Sequence, residues 1–195
     1  MAKKPESNIL FELYEDAVNY LGLTQATLPN LAFIVQQING AGLNGNVDVP
    51  IHGMMEAMEL SLNFRSPTDS AKTLATPGTH HLDLRVAAQY WDDVDANYGV
   101  EADKYVFLAR PKAMNPGNIQ PATPADTANT FSVVYYAGYK DGTKIWEIDP
   151  INYICEINGV DYVGNIIVVG VDGEEFTDIQ DETVKIITDY INREF

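Results

Sequence analysis

The chain has 195 residues, long enough for one domain with a sizeable core, and 46% of them are hydrophobic, which excludes a disordered polymer. Its 12 basic side chains stand against 28 acidic ones, a formal charge of −16, the wrong balance for holding nucleic acid or anionic lipid through basic contacts. The single cysteine, Cys155, excludes an intrachain disulfide and reads as a small core residue.

From the start of the chain, Lys3 and Lys4 precede an apolar stretch that Glu12 interrupts, so no signal-peptide core is expected. Residues 9–21 place apolar side chains at 10, 13, 14, 17, 18 and 21, as a helix would, yet their Tyr, Val, Phe and Ile content suits strands; the pattern leaves both open. A strand-like stretch over 31–38 leads into Gly40-Ala41-Gly42-Leu43-Asn44-Gly45, read as a flexible glycine-rich loop, and then into Val47, Val49 and Ile51 at alternate positions. In Met58–Phe64 the apolar residues Met58, Leu60, Leu62 and Phe64 alternate with Glu59, Ser61 and Asn63, the mark of a strand with one wet face. Ser66-Pro67 predicts an N-cap with proline at the first helical position, and Pro77-Gly78 closes that helix.

Two long strand-like stretches, 79–91 and 99–110, flank the turn Asp92-Asp93-Val94-Asp95-Ala96-Asn97, and Asp83 alternates with Leu82 and Leu84. Residues 112–129, rich in proline and nearly uncharged, are expected to form a long loop. Asp141-Gly142 and Asn158-Gly159 each sit between strand-like runs and predict two-residue hairpins. Hairpin after hairpin predicts a mainly antiparallel β domain. Residues 182–193 carry Val184, Ile187 and Ile191 near helical spacing and predict a C-terminal helix. The most apolar window, residues 162–171, contains Asn165 and is half the roughly twenty residues a membrane-spanning helix needs, so the chain reads as soluble.

Chemical motifs fail in context. The string from Gly40 to Gly45 matches a dinucleotide fingerprint, but Asn46-Val47-Asp48-Val49-Pro50 cannot open the helix on which a pyrophosphate would rest. Asp93-x-Asp95-x-Asn97 starts like a calcium loop, yet the glycine comes one position late and Lys104 stands where a glutamate is needed. His80 and His81, adjacent on a strand, point to opposite faces, and His52 has no partner at helical spacing. Abundant carboxylates alone do not make a hydrolytic pair, because one must be raised by burial. Trp91 and Trp146 are more ordinary as core than as a sugar platform. These readings predict no enzyme, cofactor or metal. An acidic carbohydrate-binding β-sandwich and a carboxylate hydrolase are the competing classes.

Thr27-Leu28-Pro29-x-Leu31, followed by Ile38-x-Gly40-Ala41-Gly42-Leu43-Asn44-Gly45, resembles the major tail tube protein of contractile-tailed bacteriophages. Lys104-Tyr105-Val106, Arg110, residues 130–136, Trp146-Glu147-Ile148-Asp149-x-Ile151-Asn152 and Ile157-Asn158-Gly159-Val160-Asp161 come in that family's order. The resemblance implies an antiparallel β-sandwich or barrel-like subunit with a flanking helix over 67–75, and a strand pair over 9–21 turning near Glu15-Asp16. It implies homo-hexameric rings, stacked into a tube whose lumen is a shared β-barrel. A sheath protein would surround the tube, baseplate and terminator proteins would meet its ends, and DNA would pass without being bound. The setting would be the virion tail, assembled in the host cytoplasm; a phage-tail-like bacteriocin or other contractile injection particle would use the same subunit. Residues 1–165 are expected to be the tube domain and 166–195 a C-terminal extension. Gly40 to Gly45 with Val47, Val49 and Ile51 are expected to order between subunits, and Glu59 and Asp83 to be candidate acids of a predominantly negative lumen.

Overall fold

The computed structural model describes residues 3–22, 24–39 and 44–163. Strands dominate: β1 (Lys3–Glu15), β2 (Asn19–Tyr20), β3 (Gln25–Thr27), β4 (Phe33–Ile38), β5 (Val47–Met55), β6 (Met58–Phe64), β7 (His80–Asp92), β8 (Asn97–Asn115), β9 (Thr127–Lys140), β10 (Thr143–Asp149), β11 (Ile154–Ile157) and β12 (Val160–Asp161). Among the described residues one short helix, α1 (Asp69–Thr73), lies between β6 and β7. The fold is the expected mainly antiparallel, sandwich-like one, and the described strands form no closed barrel. Residues 9–21 are strand, not helix: β1 turns back into β2, pairing Tyr14 with Tyr20 and Glu15 with Asn19.

The main sheet runs β12-β11-β10-β9-β8-β7-β1-β2, with β3-β6 attached to β9. One edge of β9 serves two partners in succession. Residues 127–133 pair with β6 and residues 136–140 with β10, while its other edge pairs with β8. Both predicted two-residue hairpins form, with the positive φ that a type I′ turn demands: Asp141 and Gly142 at 47° and 78°, Asn158 and Gly159 at 52° and 76°.

Alternation then decides the core. Leu82 and Leu84 of β7 face Phe107 and Tyr105 of β8, Leu13 of β1 pairs with Leu84, and Tyr136 of β9 pairs with Phe107. With Met58, Leu60, Leu62 and Phe64 of β6, these side chains build one cluster on one face of the sheet. Helix α1 caps it with Ala71 and Leu74, both fully buried, and the buried Asn129 amide of β9 donates to the Ala71 carbonyl at 2.7 Å. Cys155 is a core residue, and burial first, then the Asp161 charge, pushes its thiol up.

Two expectations shift. The helix is shorter than 67–75 and its N-cap is Thr68, whose hydroxyl accepts from the Ala71 amide at 3.2 Å. Thr68 has the extended backbone an N-cap needs, φ −70° and ψ 166°, and its hydroxyl is the one within reach of a first-turn amide. The nearly uncharged connection between β8 and β9 is 116–126 rather than 112–129, because Ala113, Met114 and Asn115 still pair with β9. Pro111 is tolerated within β8 because β7 has already ended opposite Ala109, so no ladder partner is lost on that side. Val47, Val49 and Ile51, the alternating residues after the glycine-rich stretch, belong to β5, which pairs with β4 as a separate two-stranded ribbon. Residues 40–43 and the predicted helix over 182–193 lie outside the described residues.

Candidate assembly surfaces

Among the described residues, no element packs on the face of the sheet opposite the core, which is called the bare face below. On β7 and β8 its side chains are His81, Asp83, Arg85 and Ala87 against Leu108, Val106, Lys104 and Ala102. His81, Arg85, Lys104 and Ala102 are exposed. Both candidate acids fall on this face. Glu59 pairs with Ser132 of β9, which in turn pairs with Arg110 of β8. Two intervening strands, β8 and β9, separate Glu59 from Asp83.

Asp83 is not wet, as its alternation suggested, but only 6% exposed. Arg85 two residues on and Lys104 across the ladder fold over it, at 3.1 and 3.2 Å. Glu59 is half-exposed and ion-paired with Lys112. Farther along the same face, Lys144 bridges Glu147 at 2.6 Å and Glu156 at 2.8 Å, and the Tyr135 hydroxyl donates to Glu147 at 2.9 Å. The Lys144 hydrogen bond is the leading cause that holds Glu147 below the usual carboxylate range, while burial and then Glu147 push the Tyr135 phenol up. Each of these carboxylates thus has a cation within reach. The alternation showed which acids share the face but not their partners, since Lys104, Lys112 and Lys144 are distant in sequence from Asp83, Glu59 and Glu156.

The second surface is the ribbon. Its pairs Gln36–Val49 and Ile38–Val47 put Ile38, Val47 and Val49 on one side, at 42%, 44% and 39% exposure, while Ile51 is half-buried. An isolated two-stranded ribbon is marginal in water, so an apolar stripe there is a surface waiting for cover. Gly45, with φ 128°, lies in the described part of the connecting loop, just before β5.

The third surface is the outer edge of β1. Strand β2 pairs with only Tyr14 and Glu15, so among the described residues 3–12 have no neighbour on that side. Lys3, Lys4 and Pro5 sit along this edge, the residue types that discourage unplanned strand addition.

The motifs discounted in the sequence fall apart in space. His80 is buried with Nδ1 2.6 Å from Glu15 and Nε2 at 3.2 Å from the Thr76 carbonyl, His81 is exposed, and His52 lies against Tyr162. Among the described residues no group of three His, Cys, Asp or Glu side chains is placed to hold a metal ion. Asp92, at the turn that resembled a calcium loop, spends its carboxylate on the Val94 amide at 2.8 Å. Trp91 packs on Tyr98 and Trp146 on Tyr105 and Tyr136. No described helix is long and apolar enough to cross a membrane.

Residues 6–166 match the phage tail tube protein FII family. The chain belongs to this family. The tail tube protein of Escherichia phage P2 is 29% identical over 163 residues, covering 80% of this chain and 92% of that protein. This chain is therefore a structural subunit of a phage tail tube, a component of the virion tail and not an enzyme. Similar solved structures include a chain of the sheath/tube terminator of the extracellular contractile injection system PVC, with a TM-score of 0.46 at 8% identity, covering 67% of this chain and 94% of that one. A chain of the PVC sheath-tube complex gives 0.43 at 10% identity, over 66% and 87%. The tail tube match ends at residue 166, leaving the last 29 residues outside it.

Proposed function

We propose that this tail tube protein closes into homo-hexameric rings that stack into a hollow conduit for DNA. A sheath surrounds the tube, baseplate and terminator proteins meet its ends, and assembly takes place in the host cytoplasm. The observation that carries this reading is a long-stranded sheet with one packed face, one bare face and a free outer edge on β1. Ring closure pairs such an edge with a neighbour and turns the bare face inward, so that no edge is left open. Glu59 and Asp83 then face the bore. The ribbon, with Gly40, Ala41, Gly42, Leu43, Asn44, Gly45, Val47, Val49 and Ile51, reaches an adjacent subunit, where its apolar stripe is covered.

The bare face also suits passage without capture. A cation held by a carboxylate has less to offer a phosphate, and Arg85, Lys104, Lys112 and Lys144 are all so held. Part of the chain's negative charge lies in the β7–β8 turn, with Asp92, Asp93 and Asp95. Arg110, exposed on the same face, has no such carboxylate; with that exception the wall is charge-paired, and less negative than the net charge of −16 suggests. Electron microscopy of the purified protein tests the assembly: six-fold rings or tubes are expected. Particles that stay monomeric at high concentration, or rings of another symmetry, overturn it.

A further inference from the structure

The ladder that joins the ribbon to the body is broken. At the root Phe33 pairs with Met55, and the Glu56 amide donates to the Ala32 carbonyl at 2.8 Å. The next pair outward is Val35 with Pro50, and Gln36–Val49, Gln37–Asp48 and Ile38–Val47 follow without interruption. From Phe33 to Val35 is two steps along β4, but from Met55 back to Pro50 is five along β5. Ile51, His52, Gly53 and Met54 therefore stand opposite Ile34 alone, where an ordinary bulge sets two residues against one. Burial changes at the same place. Leu31, Phe33 and Met55 pack against the core cluster, whereas every described residue of 34–39 and 44–50 is exposed.

We propose that this break is a hinge. Residues 35–38 and 47–50 form a blade that swings as one piece about Ile34 and residues 51–54, while the root stays fixed on the core. Within the blade each step keeps its ladder partner, and the Gln37 amide donates to the Asp48 carboxylate at 3.2 Å, so bending there costs hydrogen bonds. At the break bending costs no ladder bond, and such unpaired, thinly packed backbone is where a chain opens first. Gly53, with φ +71°, turns β5 out of its extended path at this point. Its Cβ would lie 2.7 Å from Val163 Cγ2, so Gly53→Ala would clash as well as stiffen and is not a clean test. Ile38 is five residues from Phe33, about 17 Å in extended chain, so a small rotation at the break moves Ile38, Val47 and Val49 far. The hinge thus lets the apolar stripe meet a partner over a range of approach angles. That use rests on the reading that the ribbon reaches an adjacent subunit; the hinge itself belongs to the single chain.

Paired spin labels on the full-length, dispersed chain test it, with the buried Cys155 left unlabelled. Gln37, Glu56 and Thr143 are all exposed and take a label without disturbing the core. The distance distribution of Gln37→Cys/Thr143→Cys, blade to body, is expected to be at least twice as wide as that of Glu56→Cys/Thr143→Cys, root to body. Nuclear Overhauser contacts between residues 36 and 49, and between 38 and 47, should persist in the parent, because the blade moves without unpairing. Deleting residues 52–54 sets Ile51 opposite Ile34 and makes the ladder continuous, so the blade distribution should narrow to the width of the root pair. Equal widths for blade and root in the parent overturn the proposal. Loss of the cross-strand contacts overturns it too, since the ribbon would then be a melted loop, as does a wide distribution in a folded deletion variant. Should the deletion variant not fold, the parent comparison decides. Labelled subunits diluted into tubes separate the hinge from its use: a distribution that narrows there supports both, whereas one that stays wide refutes cover by a neighbour and leaves the hinge standing.

Discussion

Replacing Gly138 by alanine is expected to destabilise the subunit by about 1–2 kcal/mol. Gly138 is buried on β9 directly across from Trp146 of β10. A Cβ there would sit 2.5 Å from the indole Cζ2 and closer still to Cε2, so the ring must retreat. It has nowhere easy to go, because it stacks on Tyr105 at 6.0 Å and stands edge-on to Tyr136 at 5.5 Å. Disturbing two such aromatic pairs forfeits roughly 1–3 kcal/mol. Against this, removing a glycine from the unfolded chain returns about 0.4–1 kcal/mol, and Gly138 has no positive φ to forbid the substitution. At about 2–4 °C per kcal/mol for a chain this long, the melting temperature of the dispersed protein should fall by about 2–8 °C. Trp146 fluorescence reports the ring's displacement in the same melt. Gly99 is the control: its Cβ would meet Tyr90, but a half-buried ring beyond the core can swing aside, so Gly99→Ala should cost less. An unchanged or raised melting temperature for Gly138→Ala would refute the packing argument.

Glu147 is held below its ordinary range chiefly by Lys144, so its contribution to stability is present above the usual carboxylate pKa near 4.3 and is lost as pH falls through the lowered folded value. Lys144→Met should therefore unfold at lower urea than the parent at neutral pH, with the gap narrowing on acidification; a gap that ignores pH would refute the assignment. Freeing the cations of the bare face tests its proposed place in the bore. Tubes of Glu59→Gln/Asp83→Asn should retain short duplex DNA at low salt, with retention falling as salt rises, whereas the parent should not. No gain in retention would show that DNA does not reach these side chains.

Local signals carried much of the fold. Each type I′ turn needs two adjacent residues that accept positive φ, so Asp141-Gly142 and Asn158-Gly159 were legible as hairpins without reference to anything distant. The period-2 pattern of Met58–Phe64 likewise showed which side chains enter the core and that Glu59 does not. The family's ordered blocks resolved residues 9–21, where local propensity suits helix and strand alike and only the pairing of β1 with β7 decides.

The surfaces were less legible, because each depends on chain segments far apart in sequence. Alternation put Asp83 off the core but could not show Arg85 and Lys104 closing over it, since that requires the register of β7 on β8. The partners of Glu59 and Glu156 are fixed in the same way by pairings that span tens of residues. The ribbon looked like a glycine-rich loop because Gly40 to Gly45 dominate its composition, yet β5 finds its ladder in β4 and its root against Val163. A residue's face is set by its neighbours along the chain, whereas its charge partner and its cover are set by strands that meet only after folding.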